Sequence, residues 1–196
     1  MSSPDRALLD IDHFSLQIGQ SRVVDDVSLQ IKRGERVALV GESGSGKTVT
    51  ALSVMRLLDV HDMHHQGDIR FDGTSVFSLD DEALRRLRGD RVAMVFQEPM
   101  TALNPLKTVG AQIAEVVELH RAIKGRALRD RVYELLEKVH LPDPARALKA
   151  FPHELSGGQR QRAMIAMAIA CDPELLIADE PTTALDAALR STIMSL

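Results

Sequence analysis

Hydrophobic residues follow two patterns along this chain, which predict a strand-rich first part and a helical later part. Residues 6–40 contain short apolar runs separated by turn residues, and such runs predict strands. Residues 47–58 and 111–150 carry apolar side chains every three or four positions, which predicts helices. In the second stretch, we expect one helix to begin at Gly125 and to end before Pro142.

Three further runs, at residues 37–40, 92–96 and 175–178, are apolar throughout and do not alternate with polar residues. Uninterrupted runs of this length are typical of parallel strands that are covered on both faces. The sequence therefore predicts an α/β fold with a mainly parallel sheet and a β-rich N-terminal part.

Polar residues follow each of these three runs. The segment beginning at Gly41 follows the first run, Gln97 the second, and the pair Asp179 and Glu180 the third. In open parallel α/β sheets, ligands bind at the carboxyl ends of the strands. We therefore expect these polar residues to lie at one edge of the sheet and to form a ligand site.

The segment "GESGSGKT" matches the phosphate-binding pattern G-x-x-x-x-G-K-[ST] between a predicted strand and a predicted helix. Its glycines let the backbone wrap around phosphate oxygens, Lys47 supplies a positive charge, and Thr48 supplies a hydroxyl for Mg²⁺. A glycine-rich turn without function is the alternative. The predicted nucleotide-binding residues are Gly41, Glu42, Ser43, Gly44, Ser45, Gly46, Lys47, Thr48 and Val49.

Beside a phosphate loop, the acidic pair has a chemical interpretation. We expect Asp179 to hold Mg²⁺, and Glu180 to polarise the water that attacks the terminal phosphate. The amide of Gln97 is suited to contact both the ion and that water. The alternative is that these are ordinary solvated residues at strand ends. The predicted catalytic residues are thus Glu180, Gln97 and Lys47, and the predicted Mg²⁺ ligands are Thr48, Gln97 and Asp179.

A second glycine-containing segment, "LSGGQ" at residues 155–159, precedes another predicted helix. Ser156 and Gln159 fit the capping box S-x-x-Q, so a well-capped core helix is one interpretation. That interpretation is incomplete, because capping needs neither Gly157 nor Gly158 and consecutive glycines cost backbone entropy. The two glycines would let a large anion approach the start of the helix.

The motifs "GESGSGKT", "LSGGQ", "LLIADE" and "TALD", in this order, resemble the ATP-binding subunits of ABC transporters across nearly the whole chain. The resemblance implies a P-loop NTPase fold with an N-terminal antiparallel β subdomain. It implies one ATP-binding domain over residues 1–196 with a helical subdomain at about 99–165.

In that family, two such domains pair head to tail, and each ATP lies between the phosphate loop of one domain and the signature loop of the other. The resemblance thus assigns Asp186 to the dimer seam, although a helix N-cap is a competing interpretation for this residue. The signature residues that would serve the partner's ATP are Leu155, Ser156, Gly157, Gly158 and Gln159.

The segment "FQEPMTALNP" at residues 96–105 resembles the oligopeptide, dipeptide and nickel importer group, in particular peptide importer ATPases with two fused ATP-binding domains. This implies ATP hydrolysis that powers import of peptides or a related small solute. The implied partners are transmembrane permease subunits and, indirectly, a substrate-binding protein. The implied location is the cytoplasm, at the inner face of the cell membrane.

Two features of the family pattern are missing from this chain. Ile18 stands where the family has an aromatic residue that stacks on adenine. The histidine-ending strand that follows "TALD" in the family is also absent, and His153 lies in the wrong segment to replace that histidine. Because the chain stops at Leu196 inside a predicted helix, we expect a C-terminally truncated domain that binds or hydrolyses ATP poorly by itself.

The net charge, the cysteine count and the length of the apolar runs exclude some classes of protein. A net charge of −4 gives no support for a nucleic-acid surface, and the single Cys171 excludes an internal disulfide. No apolar run approaches the roughly 18 residues of a membrane span. A soluble ABC-type ATPase of DNA repair or translation and a non-hydrolysing nucleotide-binding fragment remain alternatives. A metal site in the histidine-rich segment at residues 59–68, formed by Asp59, His61, His64 and His65, is a minor alternative.

Overall fold

A computed structural model describes residues 6–96 and 102–179 of the 196-residue chain. The chain divides into two compact units, the first ending at Leu87 and the second beginning at Arg88. Each unit contains one sheet in its described part.

The first unit contains a four-stranded antiparallel sheet with the strand order β2-β1-β3-β4. Its strands are β1 (Leu9–Ile18), β2 (Ser21–Ile31), β3 (Met63–Phe71) and β4 (Thr74–Ser75). The predicted N-terminal antiparallel β subdomain is therefore confirmed.

Short helical segments accompany this sheet. Helix α1 (Lys47–Val54) follows the glycine-rich loop, a 3-10 turn (Val76–Ser78) follows β4, and α2 (Asp81–Leu87) ends the unit. Helix α1 ends four residues earlier than its apolar pattern predicts, because Arg56 adopts a left-handed conformation with φ of 48°. The Arg56 guanidinium instead donates a hydrogen bond to the carbonyl of Leu79 at 2.8 Å, which anchors the end of α1.

The second unit contains the parallel pair β5 (Val92–Val95) and β6 (Leu175–Ala178). All four residues of β5 are buried, as expected for an uninterrupted apolar run. The register pairs Val95 with Ala178, so the two strands end at the same level. Two of the three predicted parallel strands are therefore confirmed.

The α-helices with assigned bounds in the described part of the second unit are α3 (Val109–His120), α4 (Gly125–Lys138), α5 (Pro144–Ala147) and α6 (Gly157–Ala168). Their apolar faces meet in one buried cluster, which confirms the helical periodicity of this part of the chain. Residues that contribute to this cluster include Ile113, Val117, Leu128, Val132, Leu135, Leu136, Met164 and Ile165.

The third predicted strand, at residues 37–40, is wrong for the described structure. These residues have no regular secondary structure, and Val40 has 89% of its surface exposed. A parallel strand forms only where a neighbouring strand supplies its hydrogen bonds, and no strand within residues 6–96 and 102–179 pairs with this run. The apolar pattern shows that these side chains favour a strand, but it does not show whether a neighbouring strand is present to pair with them.

An irregularity in β1 brings a histidine and a carboxylate together. His13 and Asp26 both have φ of 48°, and the His13 Nδ1 atom lies 2.7 Å from the Asp26 Oδ1 atom. Two serine hydroxyls accept hydrogen bonds from this region, Ser28 from the His13 N–H and Ser15 from the Asp26 N–H. The hydrogen bond to Asp26, and then the negative charge of Asp26, raise the pKa of His13 above its ordinary value of 6.5.

We expect the substitution Asp26→Asn to return the pKa of His13 toward its ordinary value, because it removes the charge and keeps a residue that tolerates positive φ. NMR titration of the His13 ring measures this shift. Since the folded pKa is raised, the pair stabilises the protein fully below pH 6.5 and loses this contribution as pH rises through the folded pKa. An unchanged titration curve in the Asn variant would contradict this assignment.

Candidate functional site

The glycine-rich segment at residues 41–48 forms an exposed loop that leads into α1. The loop is closed by a hydrogen bond from the Ser45 N–H to the Glu42 carbonyl at 3.2 Å. Gly44 and Gly46 have φ of 82° and 88°, a conformation that residues with a side chain rarely adopt. The glycines therefore let the backbone curl back before the helix begins.

Lys47 is the first residue of α1 and folds over the loop. Its ammonium group donates hydrogen bonds to the carbonyls of Gly41 at 2.8 Å and Glu42 at 2.7 Å. The positive charge is thus held at the centre of the loop by backbone atoms. An anion that enters the loop finds this charge already in place.

The start of α1 is open to a ligand. Its N-cap residue is Gly46, which has no side chain to cap the first turn, and the first turn contains no acidic residue. The N–H groups of a helix start and the positive end of its dipole attract anions. Thr48, the second residue of the helix, is exposed beside them. The loop and the helix start together have the properties of a phosphate site.

The structure adds a supporting contact that the sequence did not predict. A Cβ atom on Gly46 would lie 2.6 Å from the carbonyl oxygen of Val23, in β2. The loop therefore packs directly on the β1–β2 hairpin, and glycine is required for space as well as for conformation. No local pattern could have revealed this contact, because it joins residues that are distant in the chain.

The signature segment forms the start of α6 in the second unit. Ser156 and Gln159 make the predicted capping box: the Ser156 hydroxyl accepts from the Gln159 N–H, and the Gln159 side chain accepts from the Ser156 N–H. Leu155 is buried and anchors the segment in the core. The helix begins at Gly157, directly after its N-cap residue Ser156, so both glycines lie in its first turn.

Asp179 lies directly after β6. Its N–H donates a hydrogen bond to the Val95 carbonyl at 3.0 Å, which continues the parallel pairing by one residue. Asp179 is thus placed at the edge where β5 also ends. The structure therefore places Asp179 at the edge where both strands end, whereas Gln97, the polar residue expected after β5, lies outside the described residues.

The remaining predicted residues, Gln97, Glu180 and Asp186, lie outside the described residues. Gln97 follows β5 by two positions in the sequence, and Glu180 directly follows Asp179. Their assignments therefore stay predictions.

The histidine-rich segment is not a metal centre in this structure. His64 lies 3.2 Å from Asp62, whereas the His65 ring stacks on Phe77 with 3.9 Å between ring centroids. Within the described ranges, no three His, Cys, Asp or Glu side chains are grouped so that they could hold a metal ion. The same part of the chain also contains no helix that is long and apolar enough to cross a membrane.

Comparison with curated proteins finds many relatives among transport ATPases. The chain is 56% identical over 177 residues to a peptidoglycan transport ATP-binding protein, YejF, of Agrobacterium fabrum, covering 90% of this chain and 32% of that protein. It is 47% identical over 194 residues to the dipeptide transport ATP-binding protein DppD of Haemophilus influenzae, covering 97% of this chain and 59% of that protein. The chain thus spans between a third and three fifths of the length of these relatives.

Comparison with solved structures gives the same fold. A dimeric structure of the ATP-binding cassette MJ0796, in a post-hydrolysis state with ADP and phosphate, matches with a TM-score of 0.82 and 31% identity. The match covers 95% of this chain and 80% of that chain, and the predicted fold class is confirmed. The sequence profile of the ABC transporter family matches residues 24–183. The chain belongs to the ABC transporter family.

Proposed function

We propose that this chain is the ATP-binding and hydrolysing part of an importer for peptides or a related small solute. Relatives named for peptidoglycan and dipeptide transport support this cargo class. An exposed phosphate loop, with its lysine held in place and an uncapped helix start, supports nucleotide binding. The proposed reaction is in-line attack of water on the terminal phosphate of ATP, giving ADP and phosphate.

The observation that carries the proposal is the pair of glycines at the start of α6. Neither Gly157 nor Gly158 has positive φ, and a Cβ atom on either would meet no other atom within 4 Å. Within this chain, then, neither conformation nor space requires a glycine at these positions. Gly46 differs, because its conformation and the nearby Val23 carbonyl both require one.

Glycines that the fold does not require are explained by close approach of something outside the chain. Glycine in a helix costs roughly 0.5–1 kcal/mol relative to alanine, so two successive glycines lower the stability of α6. Bare N–H groups at a helix start suit a phosphate. We infer that Ser156, Gly157, Gly158 and Gln159 contact the nucleotide of a second ATP-binding domain. The dimeric MJ0796 cassette with ADP and phosphate supports this arrangement.

The donor set suits Mg²⁺ as well as phosphate. Hydroxyl, amide and carboxylate oxygens are hard ligands of the kind that this ion prefers, and Thr48, Gln97 and Asp179 supply one each. When bound, the ion would neutralise charge on the phosphates. Glu180, next to Asp179 in the sequence, is the proposed base that orients the attacking water.

Further partners follow from the proposed transport role. These are transmembrane permease subunits, through them a substrate-binding protein, and a second ATP-binding domain. The second domain belongs to a homodimer, a heterodimer or a longer chain in which the two domains are fused. A transport ATPase of this kind works in the cytoplasm at the inner face of the membrane. We place its helical subdomain at about residues 99–165 and the dimer seam at Asp186.

The two classes of glycine should respond oppositely to alanine. Replacing Gly157 and Gly158 should raise the free energy of unfolding, by up to about 1 kcal/mol each, because alanine favours the helix and meets no clash. Gly46→Ala should lower it by about 1–3 kcal/mol through strain and the close Val23 carbonyl. Urea unfolding of the three variants measures these changes. Equal destabilisation at all three positions would show that the α6 glycines serve the fold.

ATP should hold two copies of the whole protein together when hydrolysis is blocked. We expect Glu180→Gln to accumulate an ATP-dependent dimer, because the substrate binds but the attacking water is not activated. Sedimentation with ATP and with ADP measures the dimer. Adding Gly158→Ala should abolish it, since the new methyl group stands between the helix start and the phosphate. If ATP joins Glu180→Gln to no second ATP-binding domain, either in another copy or fused in the same chain, the protein is only a nucleotide-binding module.

A further inference from the structure

Helices α4 and α6 each contribute an arginine to the carboxyl-terminal carbonyls of the other helix. Arg162, in α6, donates hydrogen bonds from Nη1 to the carbonyls of Val139 and His140, both at 3.0 Å, just after α4 ends. Arg131, in α4, donates from Nη2 to the carbonyl of Ala170 at 3.2 Å, just after α6 ends. The two contacts form a reciprocal pair.

Each contact lies at the negative end of a helix dipole. The accepting carbonyls lie just after Lys138 of α4 and Ala168 of α6, where a helix carries partial negative charge. A guanidinium supplies several donors and a permanent positive charge there. Arg131 is further held by Asp172, whose Oδ2 atom accepts from the same Nη2 at 2.7 Å.

Apolar packing and hydrogen bonds together determine how far α6 lies along its axis. Leu135 and Leu136 of α4 and Met164 and Ile165 of α6 share one buried cluster, whose interdigitated side chains hold the two helices against each other. Hydrogen bonds weaken steeply with distance and angle. The two arginine contacts, one at the carboxyl-terminal end of each helix, therefore add a directional constraint on the axial position of α6 against α4.

The start of α6 is the signature segment, so any shift of the helix moves Ser156 and Gly158 by the same amount. Contacts with phosphate oxygens need atom separations of about 2.7–3.2 Å. A displacement of 1 Å at a reacting group costs about a hundredfold in rate. The proposed contacts between the signature segment and the phosphates therefore depend on the position of α6 along its axis.

We propose that Arg131 and Arg162 are positioning residues, which lock α4 and α6 together and thereby place the signature segment against the nucleotide of a second copy. This inference rests on the proposed function. The arginine contacts described above join α4 and α6, so we expect them to act on the partner's nucleotide through the signature segment.

The test uses the whole protein with Glu180→Gln and compares Arg162→Ala, Arg131→Ala and a control, Arg129→Ala. Arg129 is exposed on the same helix as Arg131. Two quantities are measured: the dissociation constant of the ATP-dependent dimer by sedimentation, and the affinity of the monomer for fluorescent ATP. A thermal melt establishes that each variant is folded.

We expect the dimer dissociation constant to rise about tenfold to hundredfold for Arg162→Ala and Arg131→Ala, the change that follows from one lost hydrogen bond to a charged phosphate. Monomer affinity for ATP should stay unchanged, and Arg129→Ala should change neither quantity. Arg162→Lys and Arg131→Lys, which keep the charge and one donor group, should lose less dimer than the alanine variants. These lysine variants also serve if an alanine variant does not fold.

Three results would overturn the inference. Dimers of both variants as stable as that of Arg129→Ala would show that the arginines do not position the segment. A parallel loss of monomer affinity for ATP would show that they serve general stability. Absence of an ATP-dependent dimer in Glu180→Gln itself would instead refute the proposed function, and the inference with it.

Discussion

The backbone N–H groups at the start of a helix have no partner within that helix, and this chain leaves two such starts without bulky side chains. Helix α1 begins after Gly46, and α6 begins at Gly157 and Gly158. The proposed contacts with nucleotide phosphates depend on these two helix starts. An anion near either start meets donors that are already oriented and gains from the helix dipole.

The two starts are supported differently, and the difference fits their proposed roles. The start of α1 is backed by the chain itself, through the Val23 carbonyl behind Gly46 and the loop carbonyls around Lys47. The start of α6 has an internal capping box, while the space in front of its glycines is empty. The start of α1 packs against a loop of its own chain, whereas the glycines at the start of α6 are exposed to solvent.

Helix α6 also links the signature segment to the rest of its unit. Its capping box sets where the helix begins, and its buried face joins the cluster formed with α3 and α4. The arginine contacts at the helix ends add directional hydrogen bonds to this apolar packing. Local capping, apolar burial and charged hydrogen bonds thus all contribute to the position of the signature segment.

The sequence by itself determined the family, the phosphate loop, the capping box and most elements, because each is carried by residues that lie close together in the chain. Helical spacing, glycine positions and the S-x-x-Q pattern are local properties, and the structure confirms them. Only the tertiary structure decided that residues 37–40 form no strand, that Gly46 rests on Val23, and that Arg131 and Arg162 reach carbonyls of distant residues. These depend on partners that are remote in the chain, and an apolar run or a surface arginine looks the same in sequence whether or not its partner is present.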